Sequence, residues 1–140
     1  VQTVQSRIDP PPNQGLGIGL APIGASVTIT APSALPINIS ASLTVTPGFE
    51  LESLQTPAEN AIREYLLQIR KEWDKNISSV SVEYSAAVYL ARVMAALIVL
   101  DGVVNVSGLT INGKAEDALL SETGSLQQVP VLGEVTLHGA

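Results

Sequence analysis

Two strand-like alternations and two helix-like periodicities organise this chain. Val27, Ile29 and Ala31 alternate with Ser26, Thr28 and Thr30, the period of two that half-buries a strand. After a turn or kink at Pro32-Ser33-Ala34 the pattern returns. Ile37, Ile39, Ala41, Leu43 and Val45 alternate with Asn38, Ser40, Ser42, Thr44 and Thr46, and Pro47-Gly48 ends the run. One face of this strand is apolar. The other is polar, uncharged and expected to meet solvent.

Thr56-Pro57-Ala58-Glu59 then has the form of a capping box, with proline where no donor is needed and Glu59 placed to reach back. The helix it opens carries Ala61, Ile62, Tyr65, Leu66, Ile69 and Trp73 at helical spacing, and Glu59 and Arg63 form a favourable i,i+4 pair. A start nearer Leu51, with Pro57 absorbed in the first turns, fits the same residues. Asn76 to Glu83 alternates through Ile77, Val80 and Val82 and predicts a short strand or extended link. Tyr84 to Leu100 predicts a second helix, apolar on almost every face and therefore covered on several sides. Gly102 stops it, and Val103-Val104-Asn105-Val106 resumes a strand. A region of short strands and loops follows, with a loop over 114–128, and closes on Glu134 to Leu137. The sum is an α+β fold: a mixed or antiparallel sheet with two main helices packed on one face.

Residues 1–24 stand apart. Pro10-Pro11-Pro12 cannot enter a helix interior or a central strand, and Gly15-Leu16-Gly17-Ile18-Gly19 follows, then Ala21-Pro22-Ile23-Gly24. They predict a Pro/Gly-rich linker over 1–24, leading from an upstream domain into an α+β domain over 25–140. A chain that starts on Val1 and not on Met is expected to be a piece of a longer protein.

Composition narrows the partners. Apolar residues make up 46% of the chain but aromatics only 4%, so the core is built from Val, Ile, Leu and Ala. Thirteen acids against seven scattered bases give a net charge of −6, which argues against nucleic acid, whose phosphates need clustered cations. Without cysteine there is no disulfide, thiolate metal site or cysteine nucleophile. The longest apolar run, 86–100, contains Arg92 and falls short of the roughly 20 residues a membrane span needs. Membrane insertion is not expected.

Candidate chemistry is sparse. The glycine run places Leu20 where a dinucleotide loop needs its last glycine, and a strand follows it where that loop needs a helix. Asp101 with Asn105 supplies one carboxylate where calcium takes six to eight oxygens. Glu116-Asp117 has no partners at ligand spacing and is expected to be solvated. The one histidine, His138, lies beside the mobile Gly139-Ala140 end, and no Gly-x-Ser-x-Gly elbow accompanies it. Nothing in the sequence positions Glu50, Glu52, Glu64 and Glu83 as a catalytic pair. Asn38-Ile39-Ser40, Asn76-Ile77-Ser78 and Asn105-Val106-Ser107 match the glycosylation sequon as chance matches do. No catalytic residue, cofactor or metal ligand is assigned. Trp73, Tyr65 and Tyr89 are the candidate interface residues, core or contact side chains before ligand contacts.

Several stretches, in their order, resemble one known family. Ile8-Asp9-Pro10 with Ala21-Pro22-Ile23-Gly24-Ala25-Ser26-Val27-Thr28, and then Ile37 to Gly48 followed by Phe49 and a helix, are two of them. The more specific are Asp101-Gly102-Val103, Leu109-Thr110-Ile111-Asn112-Gly113 and Val129-Pro130-Val131-Leu132-Gly133. This succession resembles the C-terminal domain of the phage baseplate J-like proteins, which build the wedges of contractile tails. Thr56-Pro57, where such helices run uninterrupted, and a long 114–128 loop depart from the pattern. The resemblance implies a non-enzymatic structural protein of a phage, prophage or phage-derived tail, assembled in the bacterial cytoplasm and carried in the virion. Its partners would be other baseplate proteins and copies of itself around a six-fold assembly, with no family catalytic residue to carry over. An α+β partner- or ligand-binding module of a cell-surface or secretion apparatus is the alternative.

Overall fold

The alternation over 37–46 becomes the middle of a sheet. The computed structural model describes residues 1–71, 87–121 and 127–140, and the chain divides into two units, Val1–Pro32 and Ser33–Ala140.

In the larger unit β1 (Ser33–Val45) is central to three strands in the order β3-β1-β5. β3 (Val103–Ile111) pairs with it antiparallel and β5 (Gln128–Gly139) parallel, so the sheet is mixed. A 3-10 turn (Leu51–Leu54) runs into α2 (Gln55–Lys71), and β2 (Ala87–Val88) precedes α3 (Leu90–Ile98). β4 (Ala118–Leu119) pairs antiparallel with β2 in a separate two-stranded sheet. α2 lies against β5, α3 against β3, and the helices touch each other.

The core follows from the two periodicities. Leu54 of the 3-10 turn and Ala58, Ile62 and Leu66 of α2, spaced by four, form one buried ridge, and Val93 and Leu97 do the same on α3. They share a single cluster with Ile37, Ile39, Ala41 and Leu43 of β1, Val106, Leu109 and Ile111 of β3, and Val135 of β5.

The structure departs from the sequence expectations at definite places. β1 starts at Ser33, so Pro36 lies inside it. β3 joins only from Ile39 onward, leaving Pro36 where β1 has one neighbour and the missing donor is tolerated. The capping box does not form, because the chain is already helical at Leu51 and Pro57 sits in the first turn of α2. Gln55 Nε2 instead donates to Glu59 Oε1 and to the Val135 carbonyl, each at 2.7 Å.

The second helix is shorter than the expected Tyr84 to Leu100. Ala87 and Val88 are drawn into β2, and α3 buries one stripe while Ala91, Ala95 and Ile98 stay exposed. Within the expected 114–128 loop, Ala118 and Leu119 form β4. Trp73, the alternation over 76–83 and residues 84–86 lie outside the described residues.

In the smaller unit the expected irregular connector contains a helix, α1 (Gln2–Ile8). The expected strand over 26–31 does not form. Its backbone finds side-chain partners in place of a neighbouring strand: Gln5 Nε2 donates to the Val27 carbonyl at 2.7 Å, and Gln5 Oε1 accepts from Ile29 N. Obligatory backbone groups are thereby satisfied without a ladder.

Candidate interaction surface

Alternation fixes which side chains line the sheet face opposite the buried one. Register sets Ser40 beside Thr110 and Thr136, Ser42 beside Ser107 and His138, and Thr44 beside Asn105. The result is a face of hydroxyls and amides with no carboxylate in any of these rows. His138 belongs to β5, not to a mobile end, and stands beside Ser42, with no acid in the row. A Ser-His-Asp relay is not assembled there.

One hairpin turn and two bulges hold this face in shape. Asn38 donates its N–H to Asn112 Oδ1 at 2.8 Å, accepts from Asn112 N at 2.8 Å, and through Oδ1 accepts from Glu134 N at 2.9 Å. Asn112 and Gly113 have φ of 50° and 80°, the positive pair of a type I′ hairpin turn. β5 carries one extra residue between the partners of Ile37 and Ile39, and a side chain on Gly133 in this bulge would collide with Asn38 Oδ1. Gly108, at φ 57°, sits in a similar bulge of β3. The Asn-Gly dipeptide was the available signal for the first of these. Asn38 gave none, since nothing in an alternating run marks one polar residue as a hub.

A second cluster gathers at the start of α3. Tyr89 N donates to the Tyr65 hydroxyl at 3.0 Å, and Leu90 N donates to Asp117 Oδ1 at 2.7 Å. Helix-starting amides lack intrahelical acceptors, and a carboxylate there is favoured by the helix dipole. Asp117, expected to be a solvated acid, is thus the cap of α3 from a distant segment. Of the candidate interface residues, Tyr65 and Tyr89 come together here, Tyr65 half-buried and Tyr89 exposed. Beside them runs a groove of about 800 Å³ between α2 and α3, lined by Ala61, Glu64, Tyr65, Leu67, Arg92 and Ala95.

Burial pushes the Tyr65 hydroxyl above its ordinary value, against the smaller opposing pulls of the Tyr89 N–H and Arg92. The fold therefore favours the neutral phenol. The stability this contributes is full below about pH 10, the unfolded value, and is lost as pH rises through the raised folded one. Ultraviolet titration of the chain and of Tyr65→Phe should show Tyr65 as a late-ionising tyrosine. Ionisation at the ordinary value would mean that the hydroxyl is solvated.

Among the described residues no three His, Cys, Asp or Glu side chains are placed to hold a metal ion. Among the same residues no helix is long and apolar enough to cross a membrane. The described surface includes a polar sheet face and a tyrosine-flanked groove.

No curated protein matches the chain at a significant level. A family profile does. The Baseplate J-like protein C-terminal domain aligns with residues 37–138, which run from the buried Ile37 of β1 to His138 of β5. The aligned stretch includes Gly102, the Asn112-Gly113 turn and Gly133. The chain belongs to the Baseplate J-like protein family, whose C-terminal domain it carries.

Proposed function

We propose that this chain is a non-catalytic wedge subunit of a contractile-tail baseplate, acting through contacts with neighbouring tail proteins and with copies of itself. The observation that carries the reading is the family match over residues 37–138, nearly the whole of the larger unit. Residue chemistry supports it. The polar groups that converge, at Asn38 and at the start of α3, are engaged in holding turns and a helix end. A wedge domain needs shape at its surfaces more than reactive groups, and the contact faces assigned to it here are three. They are the Tyr65–Tyr89 flank, the hydroxyl-rich sheet face, and the 114–128 segment.

The reading is tested on tails purified from the source organism after prophage induction. The peptide Glu64–Arg70, which trypsin releases between Arg63 and Arg70, should be recovered in fixed proportion to tube and sheath proteins, at a small multiple of six per tail. Intact tails that repeatedly lack it would defeat the wedge reading and favour a partner-binding module of a cell-surface or secretion apparatus.

A further inference from the structure

The Pro/Gly-rich start of the chain is built as a closed unit. Gln5 and Asp9 are its two buried polar residues, with exposures of 9% and 1%. Burying a carboxylate or an amide is costly unless each polar atom finds a partner, and here each does. Asp9 Oδ1 accepts from Gly15 N at 2.9 Å and Oδ2 from Val27 N at 2.7 Å. Gln5 Nε2 donates to the carbonyls of Asp9 and Val27, while Oε1 accepts from Ile29 N. Gln5 of α1 and Asp9 just past its end therefore hold Gly15, Val27 and Ile29, which are distant in sequence.

The intervening loop is shaped, not slack. Gly24 N donates to the Gly15 carbonyl at 2.7 Å and closes a loop over 15–24. Leu20 N and Ala21 N donate to the Arg7 and Ile8 carbonyls at 3.2 and 2.8 Å, tying the loop to α1. Gly15, Gly17 and Gly24 have positive φ, and a side chain on Gly19 would collide with the Ile8 carbonyl. These glycines serve conformation and close approach, not freedom. Ends held close together are a mark of an Ω-loop, and Leu16, Ile18, Leu20 and Ile23 are its exposed side chains.

We propose that residues 1–32 form a closed, side-chain-latched unit, with Gln5 and Asp9 as the latch and 15–24 as a preformed aliphatic Ω-loop, in place of a flexible segment. The proposal is independent of the wedge reading, because the family match begins only at Ile37.

Limited trypsin digestion of the full chain tests it. Arg7 is the only Lys or Arg before Arg63, so cleavage after it releases one N-terminal peptide that mass spectrometry scores directly. Its carbonyl is held by Leu20 N, so cutting requires the unit to open. Rates are normalised to peptides of residues 1–14 bearing the same substitution, which removes any direct effect on the protease. Gln5→Ala and Asp9→Ala should each be cut at Arg7 at least about tenfold faster than the parent, since each loses buried hydrogen bonds. Cutting at Arg63 should not change. Amide exchange of Gly15, Val27 and Ile29 should be slow in the parent and fast in the variants. Equal normalised rates overturn the proposal either way: uniformly fast cutting means an open segment, and uniformly slow cutting means closure that does not run through these side chains.

Discussion

Ile62→Ala is expected to lower the unfolding free energy of the larger unit by about 2–5 kcal/mol, the range for deleting buried methyl groups. Ile62 is fully buried in the α2 ridge, between Ala58 and Leu66, in the same cluster as the apolar face of β1. Alanine there removes three carbons from a site closed by helix on one side and sheet on the other. Neighbours fixed by strand pairing cannot collapse into the gap. At about 5 °C per kcal/mol for a domain of about 100 residues, the melting temperature should fall by roughly 10–25 °C. Leu67→Ala is the matched comparison, because Leu67 is 39% exposed on the same helix and its loss should stay within about 1 kcal/mol. Urea unfolding of the two variants decides the matter. Equal losses would mean that the ridge spaced by four is not the buried one.

What the sequence disclosed follows from what kind of interaction fixes each element. β1 and α2 are set by apolar periodicity, which is written locally, and both formed where the pattern placed them, give or take an end. The start of α3 is not local. Residues 87–100 have a composition that suits helix throughout, yet Ala87 and Val88 pair with Leu119 and Ala118, and the next two amides go to Tyr65 and Asp117. A helix boundary set by residues more than twenty positions away leaves no mark in the segment itself.

The alternation over 26–31 is the converse case. It predicts a strand and none forms there, because its backbone groups are taken up by the side chains of Gln5 and Asp9, which no strand pattern announces. Tyr65 and Tyr89 stand out in the sequence by their aromatic character. Their meeting through a backbone amide and a hydroxyl was not legible. The family likeness was legible because its three sharpest pieces each contain a glycine that geometry demands. Gly102 and Gly113 have positive φ, and Gly133 has no room for a side chain beside Asn38. A short motif survives as a recognisable string where the backbone, not the side-chain chemistry, restricts the residue.

Gly102 gives the sharpest test of that idea. Its φ is 89°, a conformation L residues rarely adopt, and a side chain there would run into the ring of Phe49. Its carbonyl accepts from Thr46 N at 2.9 Å, which joins the end of β1 to the turn after α3. Gly102→Ala should therefore destabilise by about 2–4 kcal/mol, adding roughly 1–3 for the strained backbone to the overpacking against the ring. The two contributions separate in a double-mutant cycle with Phe49→Ala. Phe49 is 44% exposed, so its own truncation should cost about 1 kcal/mol or less. In that background the collision is gone and only the backbone strain remains, so the two substitutions should couple by about 1 kcal/mol or more. Additive losses would show that Phe49 swings aside freely, leaving φ as the sole reason for glycine. A Gly102→Ala loss below about 0.5 kcal/mol in both backgrounds would show that the turn relaxes to negative φ. The glycine of Asp101-Gly102-Val103 would then be a mark of kinship without a structural cause at this site.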